Sequence, residues 1–180
     1  MTELIPLHQY LEKKVLNSLI ADELAGAILD VSRACCKISS LVRHGSLLGN
    51  MAAEHGYNVQ EESQKKLDIV SNEILIEHAN LGGHISAIAS EEEKNSHIFS
   101  PDIKRGPYIL LFDPLDGSTN IEVNGLVGTI FSFLPITENE KISNETFLQP
   151  GTKQVCAGYC LYGISTELVL TVGDGIKIFT

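Results

Sequence analysis

The hydrophobic residues of this chain follow a helical period up to residue 83 and a strand period after it, and this change constrains the fold more than any other feature. In the first part, apolar residues recur at steps of three and four, which is typical of amphipathic helices. We expect helices over about 7–20 and 22–43, and a third from residue 67 to Asn80, where the Gly82-Gly83 pair would stop it.

From residue 84 onward the chain consists of short runs rich in β-branched and aromatic residues, separated by Gly, Asn and Pro. The runs are HISAIAS, PYILLFD, LVGTIFSFLP, QVCAGYCLYG, TELVLTV and IKIFT. The last three are joined by connections too short for a parallel crossover, so they should form an antiparallel meander. Helices followed by such strands predict an α+β fold in which helices pack on a mostly antiparallel sheet.

The size of the chain fits a single domain, because 180 residues can bury about 70% of the surface of the unfolded chain. Between residues 45 and 66 the hydrophobic period is lost and Gly, Asn, Gln and Glu are frequent, which predicts a mobile loop. The sequence ends within a strand-like run, so we expect residues 1–180 to be the first domain of a longer chain.

The net charge of −10 disfavours nucleic acid or an anionic membrane as a partner, because phosphate groups would be repelled. No targeting signal and no apolar run of eighteen residues is present in the sequence, which predicts a cytoplasmic protein. The four cysteines lack the usual spacing of zinc ligands or redox pairs, so we expect them to be buried thiols.

Carboxylates gather at three places in the sequence, and two of these directly follow predicted strands. The groups are Glu61, Glu62 and Asp68; Glu91, Glu92 and Glu93; and Asp113 and Asp116. Carboxylates brought within 4 Å repel by about 4 kcal/mol at an effective dielectric of about 20, so a cation is expected among them. Oxygen ligands without a matching His or Cys set favour Mg²⁺.

The segment DPLDGSTN, residues 113–120, adds an anion-binding pattern to these carboxylates. Gly117 allows the backbone to approach a ligand closely, and Ser118 and Thr119 can offer hydroxyl and N–H groups to a phosphate. Two divalent ions can activate a water and stabilise the leaving oxygen of a phosphoester. Taken singly, an Asp-Gly pair is a common hairpin signal and SEEEKN is more typical of a solvated acidic loop, so neither pattern alone indicates a function.

Together with QKKLD, ASEE, VGTIF and LQPG…AGYCLYG, the segment FDPLDGSTNI closely resembles class 1 fructose-1,6-bisphosphatase, specifically its N-terminal portion. The resemblance runs from about residue 24 to residue 180. The shorter DPLDGSTN pattern is shared with a wider superfamily of magnesium-dependent, lithium-sensitive phosphatases, and the resemblance implies the sugar-phosphatase fold.

The resemblance implies a role for each matching residue. Metal binding falls to Glu91, Asp113, the carbonyl of Leu115, Asp116 and, from the mobile loop, Glu62. Binding of the substrate 1-phosphate falls to Asp116, Gly117, Ser118 and Thr119. Asp68 and Glu92 would position and deprotonate the attacking water.

The resemblance also implies hydrolysis of fructose 1,6-bisphosphate to fructose 6-phosphate in gluconeogenesis. It implies two or more Mg²⁺ ions, for which Mn²⁺ or Zn²⁺ could substitute, and a homotetramer. Two alternatives stay open: a related phosphatase acting on sedoheptulose bisphosphate or an inositol phosphate, and a catalytically incomplete domain that binds metal and assembles with partner subunits. Because the second half of the family's chain supplies another metal ligand and the sugar contacts, we expect residues 1–180 by themselves to be inactive.

Overall fold

A computed structural model of the chain describes residues 5–44, 61–100, 105–137 and 141–180. The helices of this part are α1 (Leu7–Leu16), α2 (Asp22–His44) and α3 (Glu61–Gly82). The α3 helix begins within the segment assigned to the mobile loop, and residues 45–60 lie outside the described residues. Among the described helices, none is both long enough and apolar enough to cross a membrane.

Helix α1 ends at Leu16, four residues before the predicted end. Ser18 has a φ of 54°, and two hydrogen bonds close the last turn: Ser18 N–H to the carbonyl of Val15 at 2.8 Å and Leu19 N–H to that of Lys14 at 3.0 Å. This is the Schellman arrangement of a helix C-terminus. Leu19, which fitted the helical period, is 61% exposed, so the periodicity extended past the true stop.

The strands of the described residues form a seven-stranded sheet in the order β2-β1-β3-β4-β5-β6-β7. Their bounds are β1 (Ile85–Ser90), β2 (His97–Ile98), β3 (Tyr108–Asp116), β4 (Val127–Pro135), β5 (Cys156–Tyr162), β6 (Thr166–Thr171) and β7 (Ile176–Phe179). All neighbouring pairs are antiparallel except β1 and β3, which run parallel. The α+β prediction and the antiparallel meander of the last three strands are confirmed; β2 was missed because it is only two residues long.

Helices α2 and α3 pack on one face of the sheet and bury its main hydrophobic core. Fully buried members of this core come from α2, α3 and β4, among them Ile28, Ile38, Leu75 and Phe133. A smaller cluster on Ala87, Ile109, Leu134 and Phe147 is separate from the main core; its Phe147 comes from a short 3-10 helix, Asn144–Phe147.

The middle of the sheet carries an apolar row that is only partly covered. Ile130, Tyr159 and Val169 are paired across β4, β5 and β6, and they line a cavity of about 680 Å³ that also borders Glu91 and Asp113. Ile130 is 47% and Tyr159 42% exposed. Tyr159 therefore packs only partly against its neighbours in the sheet.

Cysteines 35, 156 and 160 are buried, as predicted, and all four cysteines are free thiols. The prediction is wrong for Cys36, which is exposed. The two adjacent residues lie about 100° apart around helix α2, so only Cys35 can face the sheet.

Candidate active site

The parallel pairing of β1 and β3 brings two of the predicted acidic segments to the same edge of the sheet. Ser90 pairs with Phe112 at the end of this ladder, so Glu91 and Asp113 are the next residues on neighbouring strands. The N–H of Glu91 donates to the carbonyl of Phe112 at 3.0 Å. Both residues border the same cavity, and Glu91 is close enough for its charge to add to the burial that raises the pKa of Asp113.

A bulge in β3 shapes the Asp113–Asp116 segment. Asp113 pairs with Ile130 and Asp116 with Gly128, so β3 holds one more residue than β4 between these pairs. The N–H of Leu115 donates to Oδ1 of Asp113 at 3.0 Å, which fixes that carboxylate against its own turn. Leu115 is buried, whereas Asp116 is exposed.

The residues after Asp116 form a tight turn and a 3-10 helix, Ser118–Val123. Gly117 has a φ of 75°, a conformation that favours glycine. Asn120 holds the turn: its N–H donates to the carbonyl of Gly117 at 2.8 Å, and its Nδ2 donates to the carbonyl of Leu126 at 2.9 Å. Ser118 and the exposed Thr119 thus begin the turn directly beside the second aspartate.

Asp68 reaches this turn from helix α3. Burial raises the pKa of Asp68, a hydrogen bond with Ser118 partly opposes that effect, and the charges of Asp113 and Glu91 raise it further. Asp68 on helix α3 therefore meets Ser118 of the DPLDGSTN turn, fifty positions later in the sequence, beside Asp113 and Glu91.

Glu92 completes the acidic group. Its pKa is raised, first by burial and then by the charges of Asp68, Glu91 and Asp113. The pKa of Asp113 is also raised, mainly by burial, with Asp116 and Glu91 adding to it and the Leu115 N–H opposing it. Among the side chains that the structure describes, no basic residue lowers these three pKa values.

A hydrogen-bonded chain that sequence analysis missed holds the Glu91–Glu93 turn against α3. Ser90 Oγ donates to Oδ1 of Asn72 at 2.7 Å, and Nδ2 of Asn72 donates to Oε1 of Glu93 at 2.9 Å. The N–H of Glu92 donates to Ser90 Oγ at 3.3 Å. Asn72 lies one helical turn after Asp68, and the spacing of four residues is the signal that could have pointed to it.

The donor chemistry of this group suits a divalent cation. Its ligands are carboxylate oxygens, which Mg²⁺ prefers, and their repulsion would be relieved by positive charge. Within the described residues, no three carboxylate, His or Cys side chains are already arranged around a common metal position. These residues have the carboxylate groups that Mg²⁺ prefers, but their side chains would have to move toward a common point to bind the ion.

Two predicted site features lie outside what the structure describes. Glu62 belongs to α3 by its backbone, but its side chain and those of residues 61–66 are outside the described residues. Residues 45–60, which the sequence predicts to be a mobile loop, also lie outside the described residues. The predicted metal-binding role of Glu62 therefore stays a prediction.

This architecture defines the chain as an α+β domain with an acidic, oxygen-rich site at the carboxyl ends of two parallel strands. Residues 8–180 match the family described as "Fructose-1-6-bisphosphatase, N-terminal domain". The chain belongs to this family, and the family assignment made from the sequence is confirmed.

Similarity to a solved structure supports the same family assignment. The chain is similar to fructose-1,6-bisphosphatase of Leishmania major, whose crystal structure was determined in holo form, with 29% sequence identity and a TM-score of 0.82. The match covers 99% of this chain and 54% of that protein. The chain thus spans about half the length of the relative.

Proposed function

We propose that this domain carries the metal-binding and water-activating half of a fructose-1,6-bisphosphatase, which hydrolyses the 1-phosphate of fructose 1,6-bisphosphate. The observation that carries the proposal is the convergence of Asp68, Glu91, Glu92 and Asp113: burial, and after it the charges of neighbouring carboxylates, raise the pKa values of Asp68, Glu92 and Asp113. Family membership and the similarity to the Leishmania enzyme support the substrate.

Glu91, Asp113, Asp116 and the Leu115 carbonyl would hold Mg²⁺, with Glu62 as a further ligand and Mn²⁺ or Zn²⁺ as possible substitutes. When bound, the ions supply positive charge to the phosphate and lower the pKa of a coordinated water. The backbone of the ligand residues on the two strand ends is held by strand pairing, so only their side chains would have to converge when the cation binds.

Asp116, Gly117, Ser118 and Thr119 would bind the 1-phosphate. Asp68 and Glu92 would orient the attacking water and take its proton, while the water oxygen bonds to phosphorus and the bond from phosphorus to the sugar oxygen breaks. A raised carboxylate pKa favours this role, because a base works best when its pKa approaches the working pH. Both residues have raised pKa values here.

We also propose that residues 1–180 do not turn over substrate without further protein. The Leishmania enzyme is nearly twice as long, and contacts to the sugar and 6-phosphate would align the 1-phosphate for in-line attack. Such alignment can be worth about 7–11 kcal/mol of the barrier. We further propose a cytoplasmic location, a role in gluconeogenesis and a homotetramer, as the family resemblance implies.

Phosphate release tests the function directly. The full natural chain that carries this sequence and residues 1–180 are assayed with saturating Mg²⁺ on fructose 1,6-bisphosphate, sedoheptulose 1,7-bisphosphate and inositol 1-phosphate. We expect hydrolysis of the fructose substrate by the full chain and background rates from residues 1–180. Preference for another substrate would favour the related phosphatases, and Mg²⁺ binding without any turnover would favour a non-catalytic assembly domain.

A further inference from the structure

One peptide unit in the bulge of β3 is hydrogen-bonded at both of its ends. Its carbonyl, on Pro114, accepts from Oγ1 of Thr129 at 2.8 Å. Its N–H, on Leu115, donates to Oδ1 of Asp113 at 3.0 Å. Because a peptide unit is planar and rigid, the direction of the carbonyl sets the direction of the N–H, so Thr129 and the Asp113 carboxylate are coupled through this unit.

The bulge explains why the Pro114 carbonyl needs a side-chain partner. The β3–β4 register pairs Asp113 and Asp116 but skips the two residues between them. Pro114 is buried, and a buried carbonyl without a hydrogen-bond partner is unfavourable. Thr129, which is fully buried, lies opposite the gap and supplies the missing donor.

Tyr162 lies behind Thr129 and completes the chain. Its Oη is 2.5 Å from Oγ1 of Thr129, and the single hydroxyl proton of Thr129 is already committed to Pro114. Tyr162 must therefore donate to Thr129. Burial raises the pKa of Tyr162, so the phenol keeps the proton that it donates.

Hydrophobic packing does not explain why Thr129 and Tyr162 carry hydroxyl groups here. Thr129 shares its face of β4 with Val127, Phe131 and Phe133, all apolar members of the main core. Burying a hydroxyl in such surroundings is unfavourable unless it is hydrogen-bonded. The hydroxyls of Thr129 and Tyr162 lie where the bulge leaves the Pro114 carbonyl without a backbone partner. This position indicates that they serve to hold that carbonyl.

We propose that Thr129, supported by Tyr162, is a positioning residue that orients the carboxylate of Asp113 for metal binding through the Pro114–Leu115 peptide. This inference rests on the proposed function, in which Asp113 is a metal ligand. Residues that orient metal ligands typically change affinity or activity by about 10–100-fold when they are removed.

The test compares Thr129→Val, which keeps the shape and loses the hydroxyl, with Thr129→Ser, which keeps the hydroxyl. Tyr162→Phe removes only the hydroxyl that donates to Thr129 and leaves the bond from Thr129 to Pro114 in place. In the full natural chain, Mn²⁺ binding is followed by electron paramagnetic resonance and Mg²⁺ binding by calorimetry, with chemical unfolding in chelator as the measure of stability. We expect Thr129→Val to weaken binding of both ions by about 10–100-fold, Tyr162→Phe to weaken it less, and Thr129→Ser to stay near wild type.

A double-mutant cycle with Asp113→Ala identifies the route of the effect. If Thr129 acts through Asp113, Thr129→Val should change ion affinity little once that carboxylate is gone. Unchanged ion affinity in both Thr129→Val and Tyr162→Phe, with lowered stability, would overturn the inference and leave a structural role. If Thr129→Val does not fold, Tyr162→Phe with wild-type affinity would overturn it alone.

Failure of the proposed function gives a different result. A wild-type protein that binds Mn²⁺ in a Thr129-dependent manner but releases no phosphate would support the positioning role and refute the hydrolase. A wild-type protein that binds neither ion would refute both. Hydrolysis with no dependence on Thr129 would refute positioning only.

Discussion

Oγ of Ser90 donates a 2.7 Å hydrogen bond to Oδ1 of Asn72, and this contact joins the end of β1 to helix α3. Both residues are buried. The side-chain amide of Asn72 also donates a hydrogen bond to Glu93. The turn that carries Glu91 and Glu92 is therefore bonded to the helix that carries Asp68. The side chain of Asn72 thus holds the proposed ligands and the proposed base in register.

Asn72→Ala should destabilise the protein by about 1–3 kcal/mol, because it leaves the buried Ser90 hydroxyl without its partner. Turnover should fall as well, since the Glu91–Glu93 turn is released. Urea unfolding and steady-state kinetics measure the two effects. Glu73→Ala, at the exposed neighbouring position of the same helix, is the matched control and should change neither; an Asn72 variant as stable as wild type would contradict the prediction.

Asp116→Ala should reduce Mg²⁺-dependent hydrolysis to background in the full natural chain while leaving the fold intact. Asp116 is exposed, and exposed substitutions usually change the free energy of unfolding by no more than about 0.5 kcal/mol. Phosphate release and thermal unfolding are measured together. Glu12→Ala, which removes an exposed carboxylate from α1, should keep full activity. Normal turnover with normal metal dependence in Asp116→Ala would refute the site assignment.

Mg²⁺ should stabilise the protein against unfolding, because a cation relieves the repulsion among Asp68, Glu91, Glu92 and Asp113. At a concentration of about 100 times Kd, one bound ion contributes about 2.7 kcal/mol. Thermal unfolding in chelator, in Mg²⁺ and in NaCl of equal ionic strength separates binding from screening. Asp113→Asn should respond less to Mg²⁺ than wild type, and equal effects of Mg²⁺ and NaCl would exclude a specific site.

The contact between α1 and the β6–β7 turn should depend on pH through Asp174. A hydrogen bond from Lys14, more than any other cause, lowers the pKa of Asp174 below its ordinary value of 3.8. Tyr10 also donates to Asp174, at 3.3 Å, and burial, followed by the Asp174 charge, raises the pKa of Tyr10 to about 12. The folded state therefore favours the ionised Asp174.

A lowered carboxylate pKa stabilises the protein above the pKa of the unfolded chain, and this stabilisation is lost as pH falls through the folded-state pKa. The difference in unfolding free energy between wild type and Asp174→Asn should thus favour wild type above pH 3.8 and shrink progressively as pH falls below it. Salt should shrink the difference, because the carboxylate is exposed. A difference that grew toward acid pH would contradict the sign.

Cys36 should be the only fast-reacting thiol of the described residues in the native protein, since Cys35, Cys156 and Cys160 are buried. Burial also raises the pKa of Cys156 to about 12, which further reduces its reactivity. Titration with a chromogenic disulfide should show one rapid thiol in buffer and four in denaturant. Cys36→Ser should remove the rapid phase; several rapid thiols in native buffer would contradict the burial of the other three.

Hydrophobic periodicity alone determined the α+β class, the three helices and six of the seven strands, because each of these patterns repeats within one segment. The DPLDGSTN segment likewise showed where the carboxylates and hydroxyls would be, since turn chemistry is local. Helix ends were harder to predict from the sequence. Helix α1 ends at Leu16 through a backbone arrangement at Ser18, but the apolar Leu19 continues the helical pattern beyond this end.

Only the tertiary structure decided which of these residues meet. Asp68 reaches Ser118 because α3 packs against β1 and β3, and Thr129 reaches Pro114 because a bulge turns one carbonyl out of the ladder. Tyr162 gave no sequence signal, and Asn72 gave only its spacing of four residues from Asp68, since the role of a polar residue in an apolar pattern depends on a partner that is distant in sequence. Such contacts depend on how layers pack and strands register, and no local pattern of side chains encodes them.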